Sequence, residues 1–392
     1  MPKYERLSPE ELEVYEEFKR KENQKIGAVF LVVVFVFILT KWFLLTRGNI
    51  DSILLRYIGV GAYLLFFYFF LKNIYRWYSD VNYRYRANPI KRFFNRFYKN
   101  KLAVFGLFVA ITIIILAVFA PMLAPYNVDN YQSSWTKFSM IPPTKRHVFG
   151  ATNAGADLFS LCLYGARIAL TFGIGVTAIG VSIGIVLGLI AGYYGGWIDR
   201  FLQYLNDVVM AFPFLVLVIT VMGALLANPA LRESVTQIGN FLNVPGKLFI
   251  AFVALSLFGW TGAYRLIRGK VFSVREEEYI DAAKSLGASN RVIMTKHILR
   301  NSLTPVIVQA SISVGGYIIT AASLTFLGLG ANPSIPSWGR LLSQGNAYVT
   351  QLRYFHLTLF PGLFLTMTVL AFTTLGDGLR DALDPTMRRN DQ

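Results

Sequence analysis

The stretch "REEEYIDAAKSLGASNRVIMTKHILRN", Arg275 to Asn301, is charged, helically periodic and broken in the middle by Gly287. Apolar runs long enough to cross a membrane flank it on both sides. Tyr279, Ala283 and Leu286 share a helical face at i, i+4 and i+7. Ala282 joins Ala283 in a side-chain-poor spot that another surface can approach closely. Glu276, Glu277 and Glu278 stand near the N-terminal end, where acids suit the helix dipole. Gly287 sits where a left-handed C-cap belongs, and Ser289 is placed to cap a second helix running from Asn290 towards His297. On these residues alone two readings are open. The segment is either a lever that slots into a partner's groove and moves the spans on either side, or a loop that solvates itself.

The rest of the chain sets the context. Of 392 residues, 54% are hydrophobic and 15% charged, and the mean hydropathy is +0.47. Soluble domains carry roughly a quarter charged residues, so the composition is that of an all-α polytopic membrane protein. Candidate spans fall at 26–46 and 53–71, then at 102–124, 166–192, 202–227, 248–267, 303–327 and 357–376. The expected organisation is therefore an amphipathic segment (1–25), an extra transmembrane hairpin (26–71), a basic linker (72–101), a six-span core (102–378) and a tail (379–392). In the first segment Ser8, Pro9 and Glu11 form a helix start, and its acidic, polar character does not fit a signal peptide.

Orientation follows from lysine and arginine. The linker holds Lys72, Arg76, Arg84, Arg86, Lys91, Arg92, Arg96, Lys99 and Lys101 against Asp80, which places it, and both termini, in the cytoplasm. The loop 268–302 is then cytoplasmic and also basic, while 125–165, 228–247 and 328–356 face outward. A net charge of +16 is explained by this topology and by anionic headgroups, so membrane lipid rather than nucleic acid is the expected partner.

Within the spans, Gly180, Gly184, Gly188 and Gly192 recur on one helix face and predict close helix packing, against either another span or a second subunit. The 303–327 region is unusually polar; Gln309, Ser313, Thr320 and Ser323 suit a water-filled path or interhelical hydrogen bonds equally. The centres of the six core spans carry no Asp, Glu, Lys or Arg, which argues against an ion-coupled transporter. His147, His297 and His356 are too scattered for a metal site, and Asp157 is a lone acid in the outer loop. Cys162 is expected to be a packed hydrophobe. There is no GxxxxGK[ST] phosphate loop and no nucleophile–base pair, so no catalytic residue is expected. Any uphill transport must draw its energy from a partner.

"YIDAAKSLGASNRVIMTKHIL" resembles the EAA loop of ATP-binding-cassette importer permeases, and more closely the C-type subunit of the oligopeptide/dipeptide branch. "KNKLAVFGLFVAITIIILAVFAPMLAPY", "FGATNAGADLFSLCLYGARIALTFGIG", "GYYGGWIDRFLQYLNDVVMAFPFLVL", "SLTFLGLGANPSIPSWGRLL" and "FPGLFLTMTVLAFTTLGDGLRDALDP" resemble further blocks of that branch in order, over about residues 92–386. The resemblance implies a B-type permease as second half of the pathway, two cytoplasmic ABC ATPases that use ATP and Mg, and an external solute-binding protein facing 125–165. It implies no cofactor in this chain. It makes Glu278, Tyr279, Asp281, Ala282, Ala283, Leu286 and Gly287 the coupling helix that sits in an ATPase groove. The substrates implied are oligopeptides, with oligosaccharides and nickel complexes served by the same branch. A transporter or channel acting alone is the alternative. The chain departs from the pattern at Asp281, in place of the usual Glu, at Arg300, where proline is frequent, and in "GATNAGAD", which lacks the arginine common before the aspartate.

Overall fold

Backbone groups in hydrocarbon must be satisfied within the segment, so a chain of apolar runs folds as helices. The computed structural model describes residues 89–126, 140–241, 246–329 and 335–383, all within the unit Leu65–Gln392. Among these residues there is no β-strand, only a single antiparallel bridge between Ala151 and Asp157. The segment 1–25, the hairpin 26–71 and most of the linker 72–101 lie outside the described residues.

In chain order the helices are α1 (Pro89–Lys99), α2 (Lys101–Val118), α3 (Ala120–Leu123), α4 (Leu158–Tyr194), α5 (Gly196–Ala211), α6 (Phe214–Ala227), α7 (Pro229–Phe241) and α8 (Gly246–Phe258). There follow α9 (Thr261–Val274), α10 (Glu278–Ser285), α11 (Asn290–Val292), a π-helical turn at Ile293–Ile298, α12 (Leu299–Phe326), α13 (Trp338–Asn346) and α14 (His356–Leu383). Five membrane-length apolar helices are present among the described residues, or six if the bent α5–α6 pair is one span.

Three of the differences from the expected spans have identifiable reasons. The run 202–227 is not one straight helix but α5 and α6, bent by 91°. Pro213 has no N–H to continue the ladder and drives Phe212 out of the helical region (φ −94°, ψ 142°). The run 166–192 begins eight residues early, at Leu158, because Asp157 caps it: its Oδ2 accepts from the Ser160 backbone N at 2.9 Å. The 37 residues of α4 are about 55 Å long at 1.5 Å per residue, well beyond a bilayer core. The third difference is that α12 has no separate start. Asn290–Phe326 is one unbroken helical run, so the second arm of the expected helix–turn–helix is the beginning of the span itself.

Packing places α4 along α9, between α2, α12 and α8, while α14 covers α2 and α12. The α4–α9 contact is built on the glycine stripe. A Cβ on Gly184 would lie 2.6 Å from Ala263 Cβ, and one on Gly188 2.8 Å from the Tyr264 carbonyl oxygen. Gly180 faces the backbone of Gly259, and Gly192 faces Val271. The neighbour of the stripe is thus α9 and the turn before it, in this chain. On the α14 side, Trp338 of α13 is 2% exposed and donates its Nε1–H to the Cys162 carbonyl at 2.9 Å. Asn100 caps α2 through the Ala103 N–H and donates to Asp381 Oδ2 of α14 at 2.9 Å.

Candidate functional site

Helix α10 projects between two membrane-length helices and is held by one deeply buried side chain. Ile280 is 0% exposed and packs with Ile267, Val271, Val274, Ile293 and Ile298, with Leu189 of α4 at the base. Burying such a side chain contributes about 1.5–3 kcal/mol. Glu277 is extended at the N-cap (φ −76°, ψ 138°), so α10 starts at Glu278, two residues later than the acidic run suggested. At the other end Gly287 has φ +79°. Its N–H donates to the Lys284 carbonyl, and the Ala288 N–H to the Ala283 carbonyl at 3.0 Å, which is the Schellman pattern. A Cβ on Gly287 would meet open space, so glycine is there for its backbone conformation.

The exposed face differs from the one drawn by i, i+4, i+7 spacing. Ala283 is half-buried beside Ile280, whereas Tyr279, Ala282 and Leu286 look outward together with Glu278 and Asp281. Leu286 is 88% exposed at the tip. The Asp281–Lys284 pair at 2.8 Å is exposed and adds little stability. Ser289 occupies the N-cap of α11, but its side chain makes no capping hydrogen bond. The helix start is tied instead by Asn290, whose Oδ1 accepts from the Tyr193 hydroxyl at 2.7 Å.

The π turn has a packing reason. Ile293 and Ile298, five residues apart, are both 0% exposed in the cluster around Ile280. A π turn brings such a pair closer to one side than an α turn does. The Tyr279 hydroxyl accepts from Asn301 Nδ2 at 2.6 Å, and its ring lies 6.4 Å from that of His297. Arg300 is exposed inside the continuous helix, and nothing in its surroundings accounts for it.

Along α12 the polar positions form a line. Gln309, Ser313, Gly316, Thr320 and Ser323 recur at i, i+4, i+7, i+11 and i+14. Gln309 and Gly316 are exposed, the others half-buried, and a Cβ on Gly316 would meet nothing within 4 Å. Thr320 and Ser323 return their hydroxyls to the carbonyls of Gly316 and Ile319, and Gln309 donates to Ser313 Oγ at 3.3 Å. The opposite face, with Val314, Ile318 and Ala321, is buried.

The sequence reading missed a set of ties between α9, which leads into α10, and the junction of α4 with α5. Arg268 grips Asp199 with both Nε and a terminal nitrogen, the latter at 2.7 Å from Oδ2. Arg275 donates to the Gly192 carbonyl at 3.0 Å. Both guanidinium groups lie over the Phe272 ring, at 4.9 and 4.6 Å from its centroid. The available signal was the i, i+4, i+7 spacing of Arg268, Phe272 and Arg275. Asp157, read as a lone acid, also has a partner: His147 Nδ1 lies 2.9 Å from its Oδ1, and both are buried. Among the described residues no three metal-ligating side chains come together.

Residues 184–389 match the family described as binding-protein-dependent transport system inner membrane component, and residues 88–143 the N-terminal TM domain of oligopeptide transport permease C. The dipeptide transport system permease protein DppC of Alkalihalophilus pseudofirmus is 39% identical over 302 residues, covering 77% of this chain and 91% of the relative. The glutathione transport system permease protein GsiD of Escherichia coli is 37% identical over 303 residues, covering 76% and 91%. These relatives are transport permeases, not enzymes. Together with the span-rich, all-helical described fold, these matches show that the chain belongs to the binding-protein-dependent transport system inner membrane components, as a C-type permease of an ABC importer.

Proposed function

We propose that this chain is one half of a two-permease path for short peptides, driven by cytoplasmic ATPases that dock on Glu278–Gly287. The observation that carries the reading is α10 itself: a helix fixed by Ile280 at 0% exposure that holds Leu286 out at 88%. An apolar tip on a rigid, capped helix outside the spans suits a groove in a partner. Tyr279, Ala282 and Leu286 form the contact, Ala283 lets the helix sit close to its own base, and Asp281 and Glu278 rim it.

The polar line Gln309, Ser313, Gly316, Thr320 and Ser323 is this chain's wall of the path. Among the described residues no helix covers it, and polar groups on such a span face suit water or a facing subunit better than lipid. A B-type permease supplies the facing wall, and an external solute-binding protein delivers substrate to the side that carries 125–165. The ATPases, binding ATP and Mg, lie beneath α10, on the same side as both termini. The substrate class is read from the names of the relatives, a dipeptide and a glutathione permease, both of which denote small peptides.

The test is reconstitution. The chain co-expressed with a B-type permease and cassette ATPases is expected to co-purify with them and to take up dipeptide only with ATP, whereas the chain alone hydrolyses none. Ala282→Arg is expected to abolish ATPase co-purification. Dipeptide transport by the chain alone, without nucleotide, would overturn the reading.

A further inference from the structure

We propose that Asp199, Arg268, Arg275 and Tyr193 are positioning residues for energy coupling, which make the junction of α4 with α5 follow α10 when the ATPases move it. This rests on the docking role of α10 proposed above.

The geometry ties α4 to both flanks of α10. On the leading side, α9 runs directly towards α10, with Arg275–Glu277 between them. Arg268 and Arg275 project from that run, one onto Asp199 in the first turn of α5, the other onto the Gly192 carbonyl in the last turns of α4. Each contact pairs a cation with an acceptor that favours it: a two-oxygen carboxylate for the fork of Arg268, and carbonyls at the negative end of a helix for Arg275. On the trailing side, Tyr193 reaches Asn290, the first residue after the turn that ends α10. The path back from Gly192 to Asp199 is turned by Gly195 and Gly196, at φ +65° and +60°, which lets the start of α5 return towards Arg268. The Arg268–Asp199 pair is only partly accessible, 26% and 13% for the two side chains, so it is less screened than a surface pair.

The route from α10 into α12 has a different character. It passes through the π turn Ile293–Ile298 and then Pro305, which cannot donate to the ladder. Below the ties, α4 and α9 are in backbone contact along Gly180, Gly184, Gly188 and Gly192. A push on α10 is therefore delivered to α4 and α9 together through these ties, beside the route into α12 that runs through Ile293, Ile298 and the Tyr279–Asn301 bond. The stiff arm of the lever is α4, a helix far from α10 in sequence.

The experiment uses the complete complex in liposomes and measures ATP hydrolysed and dipeptide transported in the same sample. Asp199→Asn and Arg268→Gln are each expected to lower transport per ATP by on the order of tenfold, with hydrolysis kept within about twofold. The exchange Asp199→Arg with Arg268→Asp is expected to recover most of that loss, which a general loss of fold would not. Transport per ATP unchanged in both single variants, or an exchange that recovers nothing, overturns the proposal. Should the charge variants fail to assemble, Tyr193→Phe decides: a fall of about twofold to threefold in transport per ATP supports the tie, and no change removes it. Ala282→Arg separates the two levels. If it leaves ATPase docking and transport intact, the docking role of α10 fails; if it abolishes them while Asp199→Asn is silent, only the ties fail.

Discussion

Helix α4 carries Gly180, Gly184, Gly188 and Gly192; helix α12 carries Gln309, Ser313, Gly316, Thr320 and Ser323. Both lines follow the helical repeat and both are made of small or short polar residues. The first is closed to the point of backbone contact with α9, and a Cβ on Gly184 would already lie 2.7 Å from the Trp260 carbonyl. The second faces away from every described helix that packs on α12, and a Cβ on Gly316 meets nothing within 4 Å. The difference lies in what the small residues leave behind. Glycine alone removes volume and asks for a neighbour at short range. Hydroxyl and amide groups bring polar atoms to the face instead, and here they bond within their own helix: Thr320 and Ser323 to the carbonyls of Gly316 and Ile319, and Gln309 to Ser313.

The sharpest way to break this comparison is to enlarge one residue in each line. Gly184→Leu is expected to leave little folded protein in detergent by fluorescence-detected size exclusion, since several backbone atoms would have to move. Gly316→Leu is expected to give a normal yield. Equal losses would mean that α12's outer face is also packed.

The same contrast of closed and open sides applies to α10. Ile280→Ala is expected to cost about 2–5 kcal/mol locally, read as faster amide exchange over 278–285. Leu286→Ala, at 88% exposure, should leave that exchange unchanged and weaken ATPase co-purification only. A smaller effect belongs to the outer side. His147→Ala removes the ring from a buried Asp157 and is expected to cost about 1–3 kcal/mol in thermal unfolding of the complex. The smallest is Tyr279→Phe, which loses the bond to Asn301 and should cost about 0.5–1.5 kcal/mol of α10 protection in the same exchange measurement.

Much of this was legible in the residues. Gly287 announces its own turn because only a left-handed cap explains a glycine after so regular a helix. The glycine line of α4 announces a close neighbour, though not which one. What the residues do not announce depends on partners distant in sequence. Asp199 and Arg268 are 69 residues apart, and neither position by itself points to the other. His147 and Asp157 meet only because the loop between them folds back at Gly150 and Gly155, both with positive φ. The bend at Pro213 was visible as "FPF", but the apolar run around it looked continuous, and hydropathy does not register a lost N–H. Of the α10 face drawn from spacing, Tyr279, Ala282 and Leu286 are exposed and Ala283 is half-buried, because periodicity does not say which side Ile280 anchors.

If α12's polar line borders a path opened and closed by the ATPases, its positions are reachable from water in the assembled complex. Single cysteines at Ser313, Thr320 and Ser323 in the assembled complex, with the buried Cys162 as internal reference, test it by their rate of modification with a water-soluble maleimide. These positions are expected to react on the order of tenfold faster than a cysteine at the buried Ile318, with ATP changing their rates in opposite directions at the two ends of the line. Rates as low as that at Ile318 in every nucleotide state would contradict it.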